Sequence, residues 1–127
     1  MAETYKFIDK LTELTDLIET MTVELMSNKM DEFKDNIPKL SRLMEMCFPQ
    51  IIVSYSDPLL SEVSGDAIYW SEQVGRIIEA LNMDDKFIRI DVLYQETRTN
   101  LLSFMDMIKG TKLASAEISE PESLDFA

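Results

Sequence analysis

The chain has 127 residues, of which 46% are hydrophobic and 28% are charged, and this composition is that of one globular domain. The 24 Asp and Glu residues outnumber the 12 Lys and Arg residues, and the resulting net charge of −12 repels phosphate backbones and anionic lipid headgroups. We therefore expect no binding to nucleic acid and no membrane association, and three glycines with four prolines are too few for the turns of an all-β fold.

The cellular compartment is predicted from cysteine usage and from the first residues. Cys47 has no second cysteine to pair with, and its place on the apolar phase of a helix predicts a buried, inert thiol. The chain begins Met-Ala-Glu-Thr, without the basic and apolar regions of a signal peptide. No stretch approaches the ~18 consecutive apolar residues of a membrane span. We expect a cytoplasmic protein.

The sequence divides into four predicted helical segments. The first, third and fourth of them place apolar residues alternately three and four positions apart, which keeps the side chains on one face of an α-helix. The first of these helices runs from about Glu3 to Ser27. Its apolar stripe consists of Phe7, Leu11, Leu14, Ile18, Met21 and Leu25. A helix with one apolar face must bury it against partners, so the pattern predicts a helical bundle. Asn28, three residues before Asp31, is interpreted as the start of the next helix.

The second segment, from about Met30 to Ser56, keeps the helical phase but contains Pro38 and Pro49. A proline inside a helix removes a backbone hydrogen bond and clashes with the preceding turn, at a cost of about 3 kcal/mol. Two paths stay open. The segment is either a short helix to about Asn36 followed by a second helix, or one helix that is kinked at both prolines.

The third segment begins at Asp57-Pro58, a capping carboxylate followed by proline at the first helical position, and runs to about Leu81. Its stripe consists of Leu60, Val63, Ala67, Trp70, Val74, Ile77 and Leu81. The residues from Asn82 to Asp85 form a tight turn, in which the asparagine caps the end of the third helix and an aspartate caps the start of the fourth. Connections this short join antiparallel neighbours.

The fourth segment runs from about Lys86 to Lys109, and Gly110 ends it. Its stripe consists of Phe87, Ile90, Tyr94, Thr97, Leu101, Phe104 and Ile108. The sequence thus predicts an all-α fold, an antiparallel bundle of four main helices whose second helix is kinked or split at its prolines.

The end of the chain differs from the rest. Residues 1–110 form the predicted bundle domain, whereas residues 111–127 carry one lysine, four carboxylates and no sustained apolar period. We expect this acidic tail to be disordered when alone. Within it, Leu124 and Phe126 form a candidate motif for docking onto a partner.

The chain lacks the residues that most catalytic sites require. It contains no histidine, which removes the commonest general base and metal ligand, and it has no glycine-rich phosphate loop. Magnesium needs only oxygen ligands, and two Glu-x-x-Asp pairs occur, Glu13 with Asp16 and Glu32 with Asp35. The helical period turns Glu13 and Asp16 towards solvent rather than into a cleft. We therefore expect no enzymatic activity, no metal and no cofactor.

Three charged residues are candidates for fixing the register between helices. Asp91 and Arg98 lie two turns apart at the border of the fourth apolar stripe, where they can meet groups on adjacent helices. Arg76 on the third helix is the predicted partner of Asp91. Interhelical ion pairs account for these residues better than a ligand site does.

Other apolar residues fall outside the stripes and widen the apolar arcs of the helices. Met105 and Met107 are two positions apart, so they cannot face the same way on a helix. The candidate partner-binding residues are Leu59, Ile68, Tyr69, Ile78, Met105 and Met107. The wider arcs indicate either a broad core of a four-helix packing or a second apolar surface, which suits dimerisation or the binding of a partner helix.

These features predict a non-catalytic protein-interaction module, an adaptor or chaperone-like bundle that binds a helical or basic protein segment and forms a homodimer. No motif carries a family assignment. The small, acidic, helical profile is similar to that of small acidic cytosolic chaperones of bacterial export systems, which implies the clasping of an amphipathic segment. Two alternatives stay open, a carboxylate-only magnesium-dependent nucleotide hydrolase and a purely structural homo-oligomer.

Overall fold

The computed structural model describes residues 3–55 and 67–120. Over these ranges the elements are β1 (Thr4–Lys6), α1 (Phe7–Met26), α2 (Met30–Ser54), α3 (Ala67–Asn82), α4 (Lys86–Ile90), a π-helical segment (Asp91–Arg98), α5 (Thr99–Ile108) and β2 (Glu117–Ser119). The segments α4, π-helix and α5 follow one another without a break, and together they are called the C-terminal helix. In the described ranges, no helix combines the length and the apolar character that crossing a bilayer would require.

The helices pack around one core, and the predicted all-α bundle is confirmed. α1 packs against α2, α2 against α3, and the C-terminal helix against both α1 and α3, so that the contacts close into a ring. Every member of the predicted α1 stripe, from Phe7 to Leu25, has an exposed fraction of 0%. Burial of this stripe offsets the mediocre helix propensity of the threonines of α1.

The second helix is continuous from Met30 to Ser54, with Pro38 and Pro49 inside it, so the path with two separate helices is not observed. Both prolines are exposed, so their rings lie on the solvent side of the helix. On the opposite side, the burial of residues such as Phe33 and Leu40 stabilises the helix.

The two ends of the described chain form a short sheet that the sequence did not predict. β1 pairs antiparallel with β2, with Tyr5 opposite Ile118, and the Phe7 amide donates to the Ala116 carbonyl at 2.8 Å. The first helix therefore begins at Phe7 and not at Glu3. Strands of three residues are too short to show a period of two in the sequence.

The segment expected to be a disordered tail, 111–127, is in part packed onto the bundle. Ile118 is buried in the core cluster, and Arg42 on α2 lies 3.4 Å from Glu120. The order of residues 111–120 thus comes from contacts with distant parts of the chain, which composition does not report. Leu124 and Phe126 lie outside the described residues, as do Leu59 and the predicted start of the third helix.

Helix ends follow the predicted capping chemistry, with one exception. Asp85 accepts hydrogen bonds from the Phe87 and Ile88 amides at 2.9 and 3.2 Å, and Gly110 has a φ of 80° just after the C-terminal helix. Asn28, predicted to start a helix, instead follows the end of α1 with a φ of 56°. The Lys29 amide donates to the Glu24 carbonyl at 2.8 Å, which completes a Schellman motif.

The predicted buried stripe of the fourth segment is confirmed in its second half, whereas the prediction for its first half is wrong. Thr97 and the stripe residues after it are buried, but Phe87 is 72% exposed. Arg89, Val92 and Leu93 are buried in its place. The π-helical segment causes this difference, because its wider turns take up one more residue and rotate the preceding turns relative to an α-helix.

Candidate functional site

The main candidate site is an apolar groove between α2 and α3, with a volume of about 430 Å³. We call it the α2/α3 groove. It is lined by Ser41, Met44, Glu45, Phe48, Pro49, Ile52, Ser71, Val74 and Ile78. On each helix these residues recur at intervals of three and four positions, so that each helix contributes one face beside its core stripe.

The groove has a packed floor and an exposed apolar rim. Phe48 and Met44 are 2% and 8% exposed and belong to the core, whereas Ile78 is 52% exposed. Ile52 and Val74 are half-buried between them. An open apolar surface between two helices, supported from below by core side chains, is a preformed site for another apolar side chain.

The charges at this site are mainly negative. Among the described residues, Glu45 is the only charged one that lines the groove. Arg42 is an exposed neighbour of Ser41 on α2 and lies 3.4 Å from Glu120. Glu72 and Glu79 are exposed neighbours of the lining residues Ser71 and Ile78 on α3. Together with the net charge of −12, these carboxylates give the rim a negative potential. The polar groups of the described lining comprise two serine hydroxyls and the Glu45 carboxylate.

The predicted partner-binding residues that the structure describes do not form a single surface. Ile78 lines the groove, whereas Ile68 is 68% exposed elsewhere on α3. Tyr69 and Met107 line a separate cavity of about 140 Å³. Met105 and Met107 are half-buried against the core, because the apolar arc of α5 is wide enough to contact it with both.

The groove residues that the sequence analysis missed lie mainly on α2. Ser41, Glu45, Phe48 and Ile52 are spaced by four, three and four, which is a second helical stripe. This spacing is present in the sequence. The proline between Phe48 and Ile52 and the β-branched run that follows made it difficult to assign these two residues to one helix.

Arg76 pairs with Glu96 and not with Asp91. Its Nε and Nη2 atoms donate to Glu96 Oε1 and Oε2 at 2.7 and 2.6 Å, a bidentate pair between α3 and the C-terminal helix. This contact raises the pKa of Arg76 and lowers the pKa of the Glu96 carboxyl. Asp91 is exposed. The π-helical turns that separate residues 91 and 96 change which residue faces α3.

Arg98, the third of the predicted interhelical residues, reaches α1. Its Nη2 atom lies 3.4 Å from Glu19 Oε2, and its guanidinium lies 5.0 Å from the centre of the Tyr94 ring. The contact with Glu19 joins the C-terminal helix to α1, whereas the contact with Tyr94 lies within the C-terminal helix.

The described residues do not bring carboxylates together as a metal site would. Over residues 3–55 and 67–120, no group of three or more Asp, Glu or Cys side chains is placed to hold an ion. Glu13 of the first Glu-x-x-Asp pair instead binds Lys10 at 2.8 Å. The Cys47 thiol is buried, as predicted, and burial raises its pKa to about 12.

Comparison of the chain with models of protein families, with curated proteins and with solved structures finds no significant match. Helical bundles host many unrelated functions, so the fold by itself indicates none of them. The function is therefore inferred from the geometry and charge of the α2/α3 groove.

Proposed function

We propose that this protein is a non-catalytic protein-interaction module that binds a basic, amphipathic helical segment of a partner in the α2/α3 groove. The observation that carries this proposal is an apolar groove between two helices in which, among the residues the structure describes, the one charged lining side chain is the Glu45 carboxylate. This arrangement matches the mode in which an amphipathic helix lays its apolar face into a hydrophobic groove.

The length of the groove supports a helical ligand. From Ser41 to Ile52 the α2 wall covers 11 residue steps. At 1.5 Å per residue this wall is about 16 Å long, which is roughly three helical turns. A partner helix of that length presents apolar anchors at positions i, i+3, i+4 and i+7. The flexible, polarisable Met44 side chain in the floor adapts to such anchors, and the Phe48 ring beside it supplies a rigid apolar base.

The charge of the rim supports a basic ligand. Lysines or arginines on the flanks of a bound helix lie near Glu45, which lines the α2 wall, and near the exposed Glu72, which follows the lining residue Ser71 on α3. The field of the whole chain favours the same sign of ligand and accelerates its association. The alternative of a magnesium-dependent hydrolase has no comparable support, because the acidic residues near this groove are spread along its rim.

Binding of a designed peptide tests the proposal. A labelled helix of about 18 residues, roughly five turns, carries leucine at the anchor positions and lysine elsewhere. Its matched control replaces each lysine with glutamate. We expect fluorescence anisotropy to show binding of the lysine peptide and little binding of the glutamate peptide. Equal affinity for both peptides, or no affinity for either, contradicts the proposal.

Variants locate the binding to the groove. Ile78→Ala and Glu45→Lys are each expected to weaken binding of the lysine peptide by about tenfold, the loss typical of truncating a contributing interface residue. Leu102→Ala is the matched control, because Leu102 is 40% exposed on α5, away from the groove. Its affinity should equal that of the wild type.

A further inference from the structure

A second exposed apolar surface lies where α1 ends and the C-terminal helix begins. Val23, Met26 and Phe87 are 55%, 67% and 72% exposed, and they border a cleft of about 640 Å³. We call it the α1/C-terminal cleft. The half-buried Ile90 and Tyr94 line it on the C-terminal helix. Large apolar side chains grouped in this way mark an interaction surface rather than scattered exposure.

The fold itself places Phe87 on the surface. A regular α-helix would put Phe87 on the same face as Thr97 and Leu101, in the core. The π-helical segment rotates α4 so that Arg89 is buried and the Phe87 ring stands out beside the cleft. Segments of π-helix inside α-helices occur frequently at functional sites.

The charges around this cleft are of both signs, unlike those of the α2/α3 groove. Glu19 and Lys86 both line it. Lys86 Nζ lies 3.3 Å from Asn28 Oδ1 and 5.4 Å from the centre of the Phe87 ring, and Glu19 has a long contact of 3.4 Å with Arg98. A surface that carries an apolar centre with one charge of each sign is complementary to a copy of itself.

We propose that a second copy of this chain docks on the α1/C-terminal cleft and forms a two-fold symmetric homodimer. Each Phe87 ring inserts into the cleft of the other protomer, and each Lys86 faces the partner's Glu19. A two-fold axis requires the same patch on both protomers, and a protruding ring beside a concave cleft meets that requirement. Aromatic side chains in such pockets are the usual anchors of interfaces.

This interface leaves the α2/α3 groove free. The bundle closes in the order α1, α2, α3, C-terminal helix, so the groove between α2 and α3 and the cleft between α1 and the C-terminal helix lie on opposite sides. The homodimer therefore carries two outward-facing grooves. A partner with two basic helical segments gains affinity from binding both.

Sedimentation equilibrium of the full chain, from micromolar to near-millimolar concentration, tests the homodimer. We expect a monomer–dimer equilibrium whose dissociation constant rises by about 30-fold or more in Phe87→Ala, the effect of removing an aromatic anchor. Leu102→Ala, at a residue of 40% exposure on α5, should leave the constant unchanged. Circular dichroism checks that each variant is folded. A wild-type monomer at every concentration, or a dimer that Phe87→Ala leaves intact, overturns the proposal.

A charge reversal tests the two-fold geometry separately. Lys86→Glu and Glu19→Lys each place like charges across the proposed interface and should weaken dimerisation. Because Glu19 also contacts Arg98 of its own protomer, thermal unfolding checks that Glu19→Lys leaves the fold of the protomer unchanged. The double variant restores opposite charges in both contacts and should recover most of the lost affinity. If the double variant dimerises no better than the single ones, Lys86 does not face the partner's Glu19 and the proposed interface is wrong. Ile78→Ala should affect only peptide binding, which separates the two proposals.

Discussion

At the scale of single residues, the interior holds a polar contact that positions two helices. Gln73 and Thr97 are 2% and 0% exposed. The Gln73 amide donates to Thr97 Oγ1 at 2.8 Å, and Thr97 Oγ1 donates to the Val92 carbonyl, five residues earlier, at 2.7 Å. Buried polar groups are costly unless they are paired, so these bonds favour the one register of the C-terminal helix that forms them all.

Substitution of Thr97 should lower the free energy of unfolding, and the size of the loss should depend on whether Gln73 is present. Thr97→Val keeps the side-chain shape but removes one of the two acceptors of the Gln73 amide, the other being Glu96, and it also removes the hydroxyl that donates to the Val92 carbonyl. We therefore expect a loss of about 1–3 kcal/mol in the free energy of unfolding. The double variant with Gln73→Leu removes both polar groups and should be more stable than Thr97→Val alone. Urea unfolding followed by Trp70 fluorescence measures both. Additive losses in the double variant would contradict a direct coupling.

A second buried polar residue, Arg89, shows why sequence reasoning failed near the start of the C-terminal helix. Its guanidinium donates to the Leu81 carbonyl at 3.2 Å, at the end of α3, and lies 5.3 Å from the Phe33 ring. A cation is favourable at a helix C-terminus and over an aromatic face. Arginine is usually an exposed residue. The burial of Arg89 depends on contacts with residues that are distant in the sequence, so the sequence alone did not predict it.

At the scale of elements, the π-helical segment decides which face of the C-terminal helix is buried. The buried residues Leu93, Thr97 and Leu101 are four apart, but Val92 and Thr97 are five apart, which exceeds one α-helical turn. The segment contains one residue more than a regular helix needs to keep these faces aligned. Gln95 is exposed within it.

Deletion of Gln95 should therefore be tolerated. It shortens the π-helical turns to α-helical ones and keeps Val92, Leu93 and Thr97 on the buried side, so we expect cooperative unfolding with a free energy within about 2 kcal/mol of the wild type. Deletion of the exposed Asp16 is the matched control. It rotates the halves of α1 by about 100° relative to one another and should unfold the chain. Thermal unfolding by circular dichroism distinguishes the two, and equal damage from both deletions would refute this role of the π-helix.

The elements also show how much of the candidate site was predictable. Of the predicted partner-binding residues, Ile78 lies in the α2/α3 groove, and the helical period was enough to place it on the outer side of α3. The other wall of the groove, on α2, required knowing that Pro38 and Pro49 leave the helix continuous. The exposure of Val23 and Phe87 was not predicted, because it depends on how α1 packs against the C-terminal helix.

At the scale of the whole molecule, the net charge of −12 acts differently on the two proposed interactions. A basic helix in the α2/α3 groove is attracted by the field of the chain. A second copy is repelled by it and is held by apolar contact and by two local ion pairs, which contribute little at an exposed surface. The two interactions should therefore respond to salt in opposite directions.

Salt titration measures this difference. When NaCl rises from about 0.05 to 0.5 M, the screening length falls well below the size of the protein. We expect the affinity for the lysine peptide to fall by roughly tenfold. The dissociation constant of the homodimer should decrease over the same range, because repulsion is screened while apolar burial is not. A peptide affinity that does not change with salt would contradict the proposed role of Glu45 and its acidic neighbours.

The sequence by itself determined the all-α class, the buried face of α1, the cap at Asp85 and the stop at Gly110, because each depends on residues within a few turns of one another. Only the tertiary structure decided the β1–β2 pairing and the rotation of the C-terminal helix that buries Arg89 and exposes Phe87. A one-residue change of register costs little within an isolated helix. The register of the C-terminal helix is selected by contacts with α3 and α1, and these contacts cannot be predicted from the local periodicity of the sequence.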